Sequence, residues 1–397
     1  MTLKVQTLNN ISPRGLDRLP REHYEVASEM NEPDAIILRS ANMHDMDIPA
    51  SVRAIGRAGA GVNNIPVNDM TERGVPVFNA PGANANAVKE LVLSGMLLSA
   101  RNILGAWRYV EGLTSTGEDL HKEVEAGKKK FKGMELPGRT LGVIGLGAVG
   151  VNVANSAQGL GMNVTGFDPG ITINNAWRLH ASVHGAVSVD DLISGSEFVS
   201  LHVPLIDATR GLVNAERLKL MPKGGVLLNF SRAEIVDEDA VLASLDEGHL
   251  KYYVCDFPSE KLRAHDQVIT LPHLGASTDE AEDNSAMMIA DQLREWLEIG
   301  NIRNSVNFPE AIMPPTAHAH RIVVINKNQP NMVGQITSTL ARYEHNIADL
   351  LNKSKGEIAL SLVDIDAEVT EGALDELRAI SGVLCVRYLG AIGRDAR

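Results

Sequence analysis

The sequence predicts an α/β protein with two doubly wound parallel sheets, followed by a smaller βαββαβ unit. Runs rich in Val and Ile alternate with helical stretches over most of the chain, a pattern typical of βαβ units. Pro309, Pro314 and Pro315 then mark a linker before a final, compact stretch. At roughly 100–200 residues per domain, 397 residues allow two to four domains, and these observations predict three.

The first sheet is predicted from five short apolar runs with helical or turn sequence between them. These runs are Leu3–Thr7, Tyr24–Val26, Ala35–Leu38, Arg53–Ile55 and Val75–Phe78. Apolar residues at three-to-four spacing then predict one long helix from Asn84 to Val110. Such a helix is long for a single domain and could bridge two domains.

Six further runs predict a second sheet of the size that binds dinucleotides. They are Thr140–Ile144, Asn163–Phe167, Phe198–His202, Val226–Asn229, Tyr252–Cys255 and Val268–Leu271. A helix from Asp279 to Glu298 follows them. The predicted C-terminal unit consists of Arg321–Ile325, Met332–Tyr343, Ile347–Asn352, Glu357–Ile365, Glu371–Ala379 and Leu384–Leu389.

We therefore predict a first domain from residues 1–95 and 280–305, a second from 96–279, a linker at 306–318 and a third domain at 319–397.

Composition and charge exclude several classes of protein. The chain holds 44% hydrophobic and 22% charged residues, which is ordinary for globular proteins. The net charge of −13 argues against nucleic acid as a partner. The densest apolar stretch, Leu91–Ala100, is about half the ~20 residues that span a bilayer. The two cysteines suggest neither a disulfide framework nor a metal site, and no signal pattern opens the chain, so we expect a cytoplasmic protein.

The most specific motif is a glycine turn between a predicted strand and a predicted helix. Gly145 permits the tight turn, Gly147 lets a pyrophosphate approach the backbone, and Gly150 lets the helix pack on the sheet. Asp168 follows the next strand, where its carboxylate can bind both ribose hydroxyls and would repel a 2′-phosphate. The motif predicts NAD as cofactor; the alternative is a glycine-rich turn that binds nothing.

Polar residues gather at the carboxyl ends of the second sheet, where ligands bind in open α/β folds. They are Asp168, His202 to Pro204, Asn229 with Ser231 and Arg232, Asp256 with Glu260, and His273. Beside a nicotinamide, His273 could take a hydroxyl proton, with Glu260 orienting it and Arg232 holding a substrate carboxylate. Read singly, His273 could be structural, Glu260 a solvated loop charge, and Arg232 the partner of an acid such as Glu234 or Asp237.

Four segments carry a resemblance to a known family: G-L-G-A-V-G at 145–150, L-H-V-P-L at 201–205, N-F-S-R at 229–232 and L-P-H-L-G at 271–275. They resemble the D-isomer-specific 2-hydroxyacid dehydrogenases over about residues 1–305. The resemblance implies a flavodoxin-like substrate domain, a Rossmann NAD domain, and the catalytic residues Arg232, Glu260 and His273. The segment from Asp256 to Glu260 is one residue shorter than is usual in the family.

The resemblance also implies the contacts of cofactor and substrate. The implied NAD contacts are Gly145, Gly147, Ala148, Val149, Gly150, Asp168, His202, Val203, Pro204, Phe230, Ser231, Arg232, Asp256, His273 and Gly275. The implied substrate contacts are Arg39, Ser40, Gly59, Gly61, Asn84, Arg232 and His273.

Segments 57–62, 79–84 and 131–136 and the C-terminal unit resemble the branch of the family that oxidises 3-phospho-D-glycerate to 3-phosphohydroxypyruvate, the first step of L-serine biosynthesis. Two alternatives stay open at this point. One is a dehydrogenase for another 2-hydroxy acid, such as glycerate, lactate or 2-hydroxyglutarate. The other is a non-catalytic NAD-sensing protein on the same fold.

The C-terminal unit resembles the ferredoxin-like ACT domain, a regulatory module that senses amino acids. Asn326, Asn328 and Asn346 stand where some relatives bind serine as an effector. The alternative is a structural dimerisation module. The long helix from Asn84 resembles the family's dimerisation arm, so the resemblance implies a homodimer or homotetramer.

Overall fold

The computed structural model describes residues 2–316 and 319–391 and divides the chain into two compact units. The first unit consists of Met1–Ala83 together with Glu282–Arg397, and the second is Asn84–Ala281. Parts of the predicted linker and C-terminal domain, residues 317–318 and 392–397, lie outside the described residues.

The N-terminal part of the first unit is a parallel five-stranded sheet of order β2-β1-β3-β4-β5. Its elements are β1 (Leu3–Leu8), α1 (Pro13–Leu16), β2 (Tyr24–Ala27), β3 (Ala35–Leu38), β4 (Ala54–Arg57), α2 (Val67–Glu72) and β5 (Val77–Asn79). All four residues of β3 are buried, because a central parallel strand is covered on both faces. The five predicted strands are confirmed, with shifts of one or two residues at their ends.

The second unit contains a parallel seven-stranded sheet of order β12-β11-β10-β9-β6-β7-β8. Its strands are β6 (Thr140–Ile144), β7 (Asn163–Phe167), β8 (His184–Gly185), β9 (Phe198–Leu201), β10 (Gly225–Asn229), β11 (Leu250–Cys255) and β12 (Val268–Thr270). The six predicted strands are confirmed. The sequence did not predict the edge strand β8, because its two residues are exposed and carry no apolar pattern.

The second unit also contains helices. They are α3 (Ala85–Arg101), α4 (Ile103–Glu111), α5 (Gly117–Gly127), α6 (Ala148–Gly159), α7 (Ile173–Arg178), α8 (Val189–Ser194), α9 (Ala215–Leu220), α10 (Glu238–Asp246) and α11 (Glu260–Arg263). Because α3 packs against α6 and β10, the second unit begins at Asn84, before the boundary at residue 95 that the sequence predicts.

The prediction of one helix from Asn84 to Val110 is wrong. The chain forms α3 and α4, and Asn102 between them adopts a left-handed conformation with φ 50° and ψ 36°. Asparagine visits this region more readily than most residues. The Asn102 side chain is also fixed, since its Oδ1 accepts a 2.6 Å hydrogen bond from the Tyr252 hydroxyl. The hydrogen bond from Tyr252 thus stabilises a break between the two helices that the spacing of apolar residues does not reveal.

The chain returns to the first unit through α12 (Asp279–Ile299) and ends in an antiparallel sheet of order β14-β15-β13-β16. The last elements are β13 (His320–Lys327), α13 (Met332–Arg342), β14 (Ile347–Lys355), β15 (Ile358–Ile365), α14 (Glu371–Arg378) and β16 (Val383–Ala391). This order confirms the predicted βαββαβ unit.

One face of the antiparallel sheet packs on α12 within a shared core. Trp296 of α12 is fully buried in the same cluster as Val323 and Leu362. Arg321, also fully buried, pairs with Asp364 at 2.6 Å and donates hydrogen bonds to the carbonyls that end α12 and precede β13. The antiparallel sheet therefore belongs to the first compact unit, and its treatment as a separate ACT domain stays a prediction.

No helix within the described residues is both long and apolar enough to span a bilayer.

Candidate functional site

The glycine turn joins β6 to α6 as the sequence predicts. A Cβ on Gly145, which has φ 92°, would lie 2.4 Å from the carbonyl oxygen of His202. A Cβ on Gly150 would lie 1.9 Å from the carbonyl oxygen of Gly145. The fold itself therefore requires these two glycines.

Gly147 differs, because a Cβ there would meet no atom within 4 Å. Gly147 is also the N-cap of α6, and no side chain caps the helix. The first N–H groups of α6 are thus available to an anion, and the positive end of the helix dipole favours one. This open backbone cradle fits a pyrophosphate, which an alanine side chain would obstruct.

Asp168 lies at the end of β7, beside the glycine turn. Its Oδ2 accepts a hydrogen bond from the Leu146 N–H at 2.8 Å, and its Oδ1 accepts one from the Gly170 N–H at 2.8 Å. Each carboxylate oxygen can accept a second hydrogen bond. The half-buried carboxylate is therefore held in one place while it can still bind the hydroxyls of a ribose.

Asp256 follows β11 and is 1% exposed. Its Oδ2 accepts a 3.2 Å hydrogen bond from the Gly275 N–H, whereas Oδ1 has no partner among the described residues. Burial raises the pKa of Asp256, while the neighbouring charges of His273 and Arg232 lower it. A buried acceptor without a partner needs a donor, and a carboxamide NH2 is suitable. Together with the cradle at Gly147, these residues fit a nicotinamide dinucleotide.

His273 is exposed on the loop after β12. Its backbone N–H donates to the carbonyl oxygen of Asp256 at 3.0 Å, and its ring meets the Phe257 ring edge-on at a centroid distance of 5.2 Å. Its φ of 53° is uncommon for a residue with a side chain. These contacts fix the backbone of His273 and leave its imidazole open to a ligand.

Arg232 is exposed at the end of the loop after β10. Asn229 is fully buried and donates through Nδ2 to the Arg232 carbonyl at 2.8 Å, while Ser231 Oγ donates to the Leu201 carbonyl at 2.6 Å. No carboxylate among the described residues forms an ion pair with Arg232, so the structure offers no support for Glu234 or Asp237 as its partner. The guanidinium, whose Nη1 donates to the Ser231 carbonyl, remains available to an anion.

Glu260 is the first residue of α11 and is exposed. Within the described part of the chain, its carboxylate makes no hydrogen bond or ion pair with His273. The structure therefore brings His273, Arg232 and Asp256 within electrostatic reach of one another but does not pair Glu260 with His273. The sequence pattern pointed to the acid Glu260 and missed Phe257, whose ring contacts the imidazole. The signal that could have found Phe257 is its position directly after Asp256 and two residues before Ser259.

His202 follows β9 and its Nε2 lies 2.8 Å from Ser200 Oγ. Burial lowers the pKa of His202 to about 3, so the imidazole is neutral at physiological pH. It can accept or donate a hydrogen bond at this edge but carries no charge toward a phosphate. Val203 and Pro204 follow it, and Phe230 is buried after β10.

In the first unit, the predicted substrate contacts lie after β3 and β4. Arg39 Nη1 is 2.5 Å from Glu282 Oε1 on α12, and Asn9 Oδ1 accepts a hydrogen bond from the Ser40 N–H at 3.0 Å. Gly59 has φ 152°, and a Cβ there would lie 1.8 Å from Arg57 Nη1. Gly61 follows in the same half-buried turn.

Asn84, the other predicted substrate contact, lies in the second unit as the N-cap of α3 and makes no side-chain capping bond.

The predicted effector residues lie at opposite ends of the antiparallel sheet. Asn326 is fully buried, pairs with Ala359, and has an Oδ1 without a partner among the described residues. Asn328 donates to the Gly356 carbonyl at the same end. Asn346 lies beside Asp366 at the other end, roughly 20 Å away along the strands. One small molecule therefore cannot contact all three asparagines within one chain.

Comparisons with known proteins agree with this architecture. Residues 96–275 match the NAD-binding domain of the D-isomer specific 2-hydroxyacid dehydrogenases. The chain is 32% identical to a D-3-phosphoglycerate dehydrogenase of Haemophilus influenzae over 347 residues, which is 85% of this chain and 81% of that protein. It is 35% identical to the enzyme of that name from Methanocaldococcus jannaschii over 294 residues, 72% of this chain but only 54% of the longer relative.

Among solved structures, an NAD+-bound 3-phosphoglycerate dehydrogenase from Entamoeba histolytica has a TM-score of 0.59 at 26% identity, covering 77% of this chain and 99% of that one.

Proposed function

This chain belongs to the D-isomer-specific 2-hydroxyacid dehydrogenases, and from that premise we propose that it oxidises 3-phospho-D-glycerate to 3-phosphohydroxypyruvate. Residues 96–275 would hold NAD, which would supply the acceptor for the hydride from C2. The product would feed L-serine biosynthesis. The observation that carries the proposal is the common edge of the second sheet, where the open cradle at Gly147, the orphaned carboxylate oxygen of Asp256 and the available groups of Arg232 and His273 occur together.

His273 supplies the base in this proposal. As the C2–H bond breaks and its electron pair leaves as hydride, the C2 hydroxyl loses its proton to the imidazole and becomes the ketone oxygen. In the reverse direction the imidazolium returns that proton. The uncommon backbone conformation of His273, tied to Asp256, supports a ring held for one task.

Arg232 binds the substrate carboxylate, which a planar guanidinium matches with two parallel hydrogen bonds. For Glu260 we propose an orienting role that requires its exposed side chain to turn toward the imidazole once substrate is bound. A Glu260→Gln variant should then shift the pH profile of kcat/KM, while a merely structural glutamate would leave the profile in place.

Arg39 is the proposed cation for the substrate phosphate, with the backbone N–H groups of Ala60 and Gly61 as further donors, since the Gly59 N–H already donates to the Arg57 carbonyl. The ion pair of Arg39 with Glu282 must open or be shared when a phosphate binds. We propose Ser40, which follows β3, and Asn84, the N-cap of α3, as additional polar contacts of the substrate.

We further propose a cytoplasmic homodimer or homotetramer in which the C-terminal unit acts as an ACT domain sensitive to serine. The apolar face of α4 supports an oligomer, since Ile103, Trp107 and Val110 are all at least 44% exposed in the single chain. The separation of Asn346 from Asn326 means that a serine site using both would need two chains.

The decisive assay follows NADH consumption with 3-phosphohydroxypyruvate and with the unphosphorylated hydroxypyruvate, pyruvate and 2-oxoglutarate. We expect a clear preference for the phosphorylated acid, and we expect Arg39→Ala to remove that preference chiefly through KM. His273→Ala should abolish turnover with NADH affinity nearly unchanged, whereas His184→Ala, an exposed histidine of the same unit, should have no effect.

Two outcomes would contradict the proposal. A higher kcat/KM on an unphosphorylated acid would assign the enzyme another substrate. Tight NADH binding with no turnover on any of these acids would instead indicate an NAD-sensing protein.

A further inference from the structure

A cavity of about 560 Å³ lies within the first unit, beside β16 at the edge of the C-terminal sheet. Four arginines from four separate segments line it: Arg53 before β4, Arg73 after α2, Arg378 at the end of α14 and Arg387 in β16. Glu371 is the one acidic residue among the lining residues that the structure describes. Such a concentration of cations stands out in a chain with a net charge of −13.

Two of these arginines have acidic partners. Arg53 Nη1 lies 3.5 Å from Asp34 Oδ1, and Arg378 Nη1 lies 2.5 Å from Glu371 Oε1 and 2.7 Å from Asp375 Oδ1. All of these side chains are partly exposed, so the pairs contribute little to stability. The charges of Arg53 and Arg378 are nevertheless balanced locally.

The other two arginines have only neutral partners. Arg73 donates to the carbonyl oxygens of Ile48 and Pro49 at 3.0 and 2.6 Å. Arg387 donates to the carbonyl oxygens of Trp296 and Leu297 at 3.4 and 3.3 Å, and its guanidinium lies 4.5 Å from the centre of the Trp296 ring. In the described part of the chain, no carboxylate forms an ion pair with either one.

Arg387 is the most constrained of the four. Burial, with the charge of Arg53 as a further cause, lowers its pKa to about 10, and Cys385 and Asp34 only partly offset this. A partly buried cation without an anionic partner is costly, and an anion placed beside it offsets that cost. The cavity therefore carries two positive charges, on Arg73 and Arg387, that the described protein groups do not neutralise.

We propose that this cavity binds a phosphate dianion, either free or as the ester of a small metabolite. Two uncompensated guanidinium groups match its charge, and arginine is suited to phosphate because its donors form a planar fork. The volume is ample for a phosphorylated compound of a few carbons. Since the lining residues come from the body of the first unit and from its antiparallel sheet, the anion ties these two parts together.

This site is separate from the NAD and substrate residues described above and does not depend on the proposed reaction. None of its lining residues belongs to the second unit, which carries Arg232 and His273. A competing explanation is that the arginines only stabilise the position of the antiparallel sheet by donating hydrogen bonds to backbone carbonyls. That explanation predicts no response to phosphate.

Inorganic phosphate is the probe, titrated into the full chain with binding measured by calorimetry and the unfolding midpoint measured in parallel. We expect saturable binding that raises the midpoint, because a ligand of the folded state stabilises it. Arg73→Gln and Arg387→Met should each weaken phosphate binding about tenfold or more, as loss of a charge-assisted contact implies. If Arg387→Met does not fold, Arg73→Gln carries the test, since the Arg73 side chain is only half-buried.

Arg342→Gln is the matched control, because Arg342 pairs with Glu376 on the same C-terminal unit but does not line this cavity. It should bind phosphate within twofold of the unaltered chain, as should Arg39→Ala. No binding at millimolar phosphate, equal binding by all variants, or loss of binding only in Arg39→Ala would overturn the proposal. Glycerol 3-phosphate, titrated in the same way, identifies the source: tighter binding through these arginines indicates an ester, and weaker binding indicates free phosphate.

Discussion

Gly147→Ala should separate cofactor binding from folding. The backbone of Gly147, with φ −72° and ψ −166°, is allowed for alanine, and the added Cβ would meet no atom within 4 Å. The fold alone thus gives no reason for glycine at this position. A pyrophosphate lying against the N–H groups of α6 does, because the new methyl group would occupy its space.

The expected magnitudes follow from these contacts. Replacing glycine by alanine lowers the conformational entropy of the unfolded chain, which stabilises the folded state by about 0.4–1 kcal/mol. This gain nearly offsets the similar cost in stability of alanine at an N-cap. The free energy of unfolding should therefore change by less than about 0.5 kcal/mol. Losing one charge-assisted hydrogen bond to the pyrophosphate costs about 1.5–3 kcal/mol, which raises the Kd for NADH about 10- to 100-fold.

NADH fluorescence titration and urea unfolding measure the two effects on the same variants. Gly159→Ala is the matched control, since Gly159 ends the same helix and its Cβ would also meet nothing within 4 Å. It should leave NADH affinity unchanged and raise the free energy of unfolding by about 0.4–1 kcal/mol. Gly150→Ala, whose Cβ would lie 1.9 Å from a backbone oxygen, should lower stability by about 1–3 kcal/mol. Unchanged NADH affinity in Gly147→Ala would refute the cradle as the phosphate site.

Three further outcomes are expected. Asp168→Ala should weaken NADH binding and narrow the preference for NADH over NADPH, as the two Kd values would show. The pKa of His202 is about 3 in the folded state against 6.5 in the unfolded state, so only the unfolded state gains a proton as the pH falls through this range. The free energy of unfolding of the unaltered chain should therefore drop between these pH values. His202→Asn should lose less of it, as urea unfolding at matched pH values would show. Asp364→Ala should destabilise the first unit by about 3–5 kcal/mol in calorimetry, because it leaves the buried guanidinium of Arg321 without its anion; a loss below about 1 kcal/mol would contradict this.

The sheets could be predicted from sequence because buried parallel strands consist of short apolar runs. Ile36, Ile37 and Leu38, for example, are all 1% exposed or less. The break at Asn102 could not be predicted in this way, since its side chain is held by Tyr252, 150 residues further along the chain. Edge strand β8 could not be predicted for a different reason. It consists of two exposed residues that pair with β7 and bury no apolar side chain.

For the candidate site, strand ends predicted which residues gather but not how they interact. Asp256, His273 and Arg232 follow different strands, and the structure places the three within electrostatic reach. The left-handed backbone of His273 and the unpartnered oxygen of Asp256 depend on loop packing that no spacing rule encodes. The same limit applies to Glu260, whose pairing with His273 is absent from the structure and stays a prediction for the substrate-bound enzyme.

In the proposed reaction a hydride passes from C2 of 3-phospho-D-glycerate to NAD while His273 takes the hydroxyl proton. The most direct measurement supplies the purified chain with NAD and substrate deuterated at C2, then determines the label in the reduced cofactor. The proposed reaction should give one deuterium on the nicotinamide ring, a slower rate than with unlabelled substrate when chemistry limits turnover, and no label transfer in His273→Ala. Reduced cofactor without deuterium, no reduction with this substrate, or undiminished transfer in His273→Ala would contradict it.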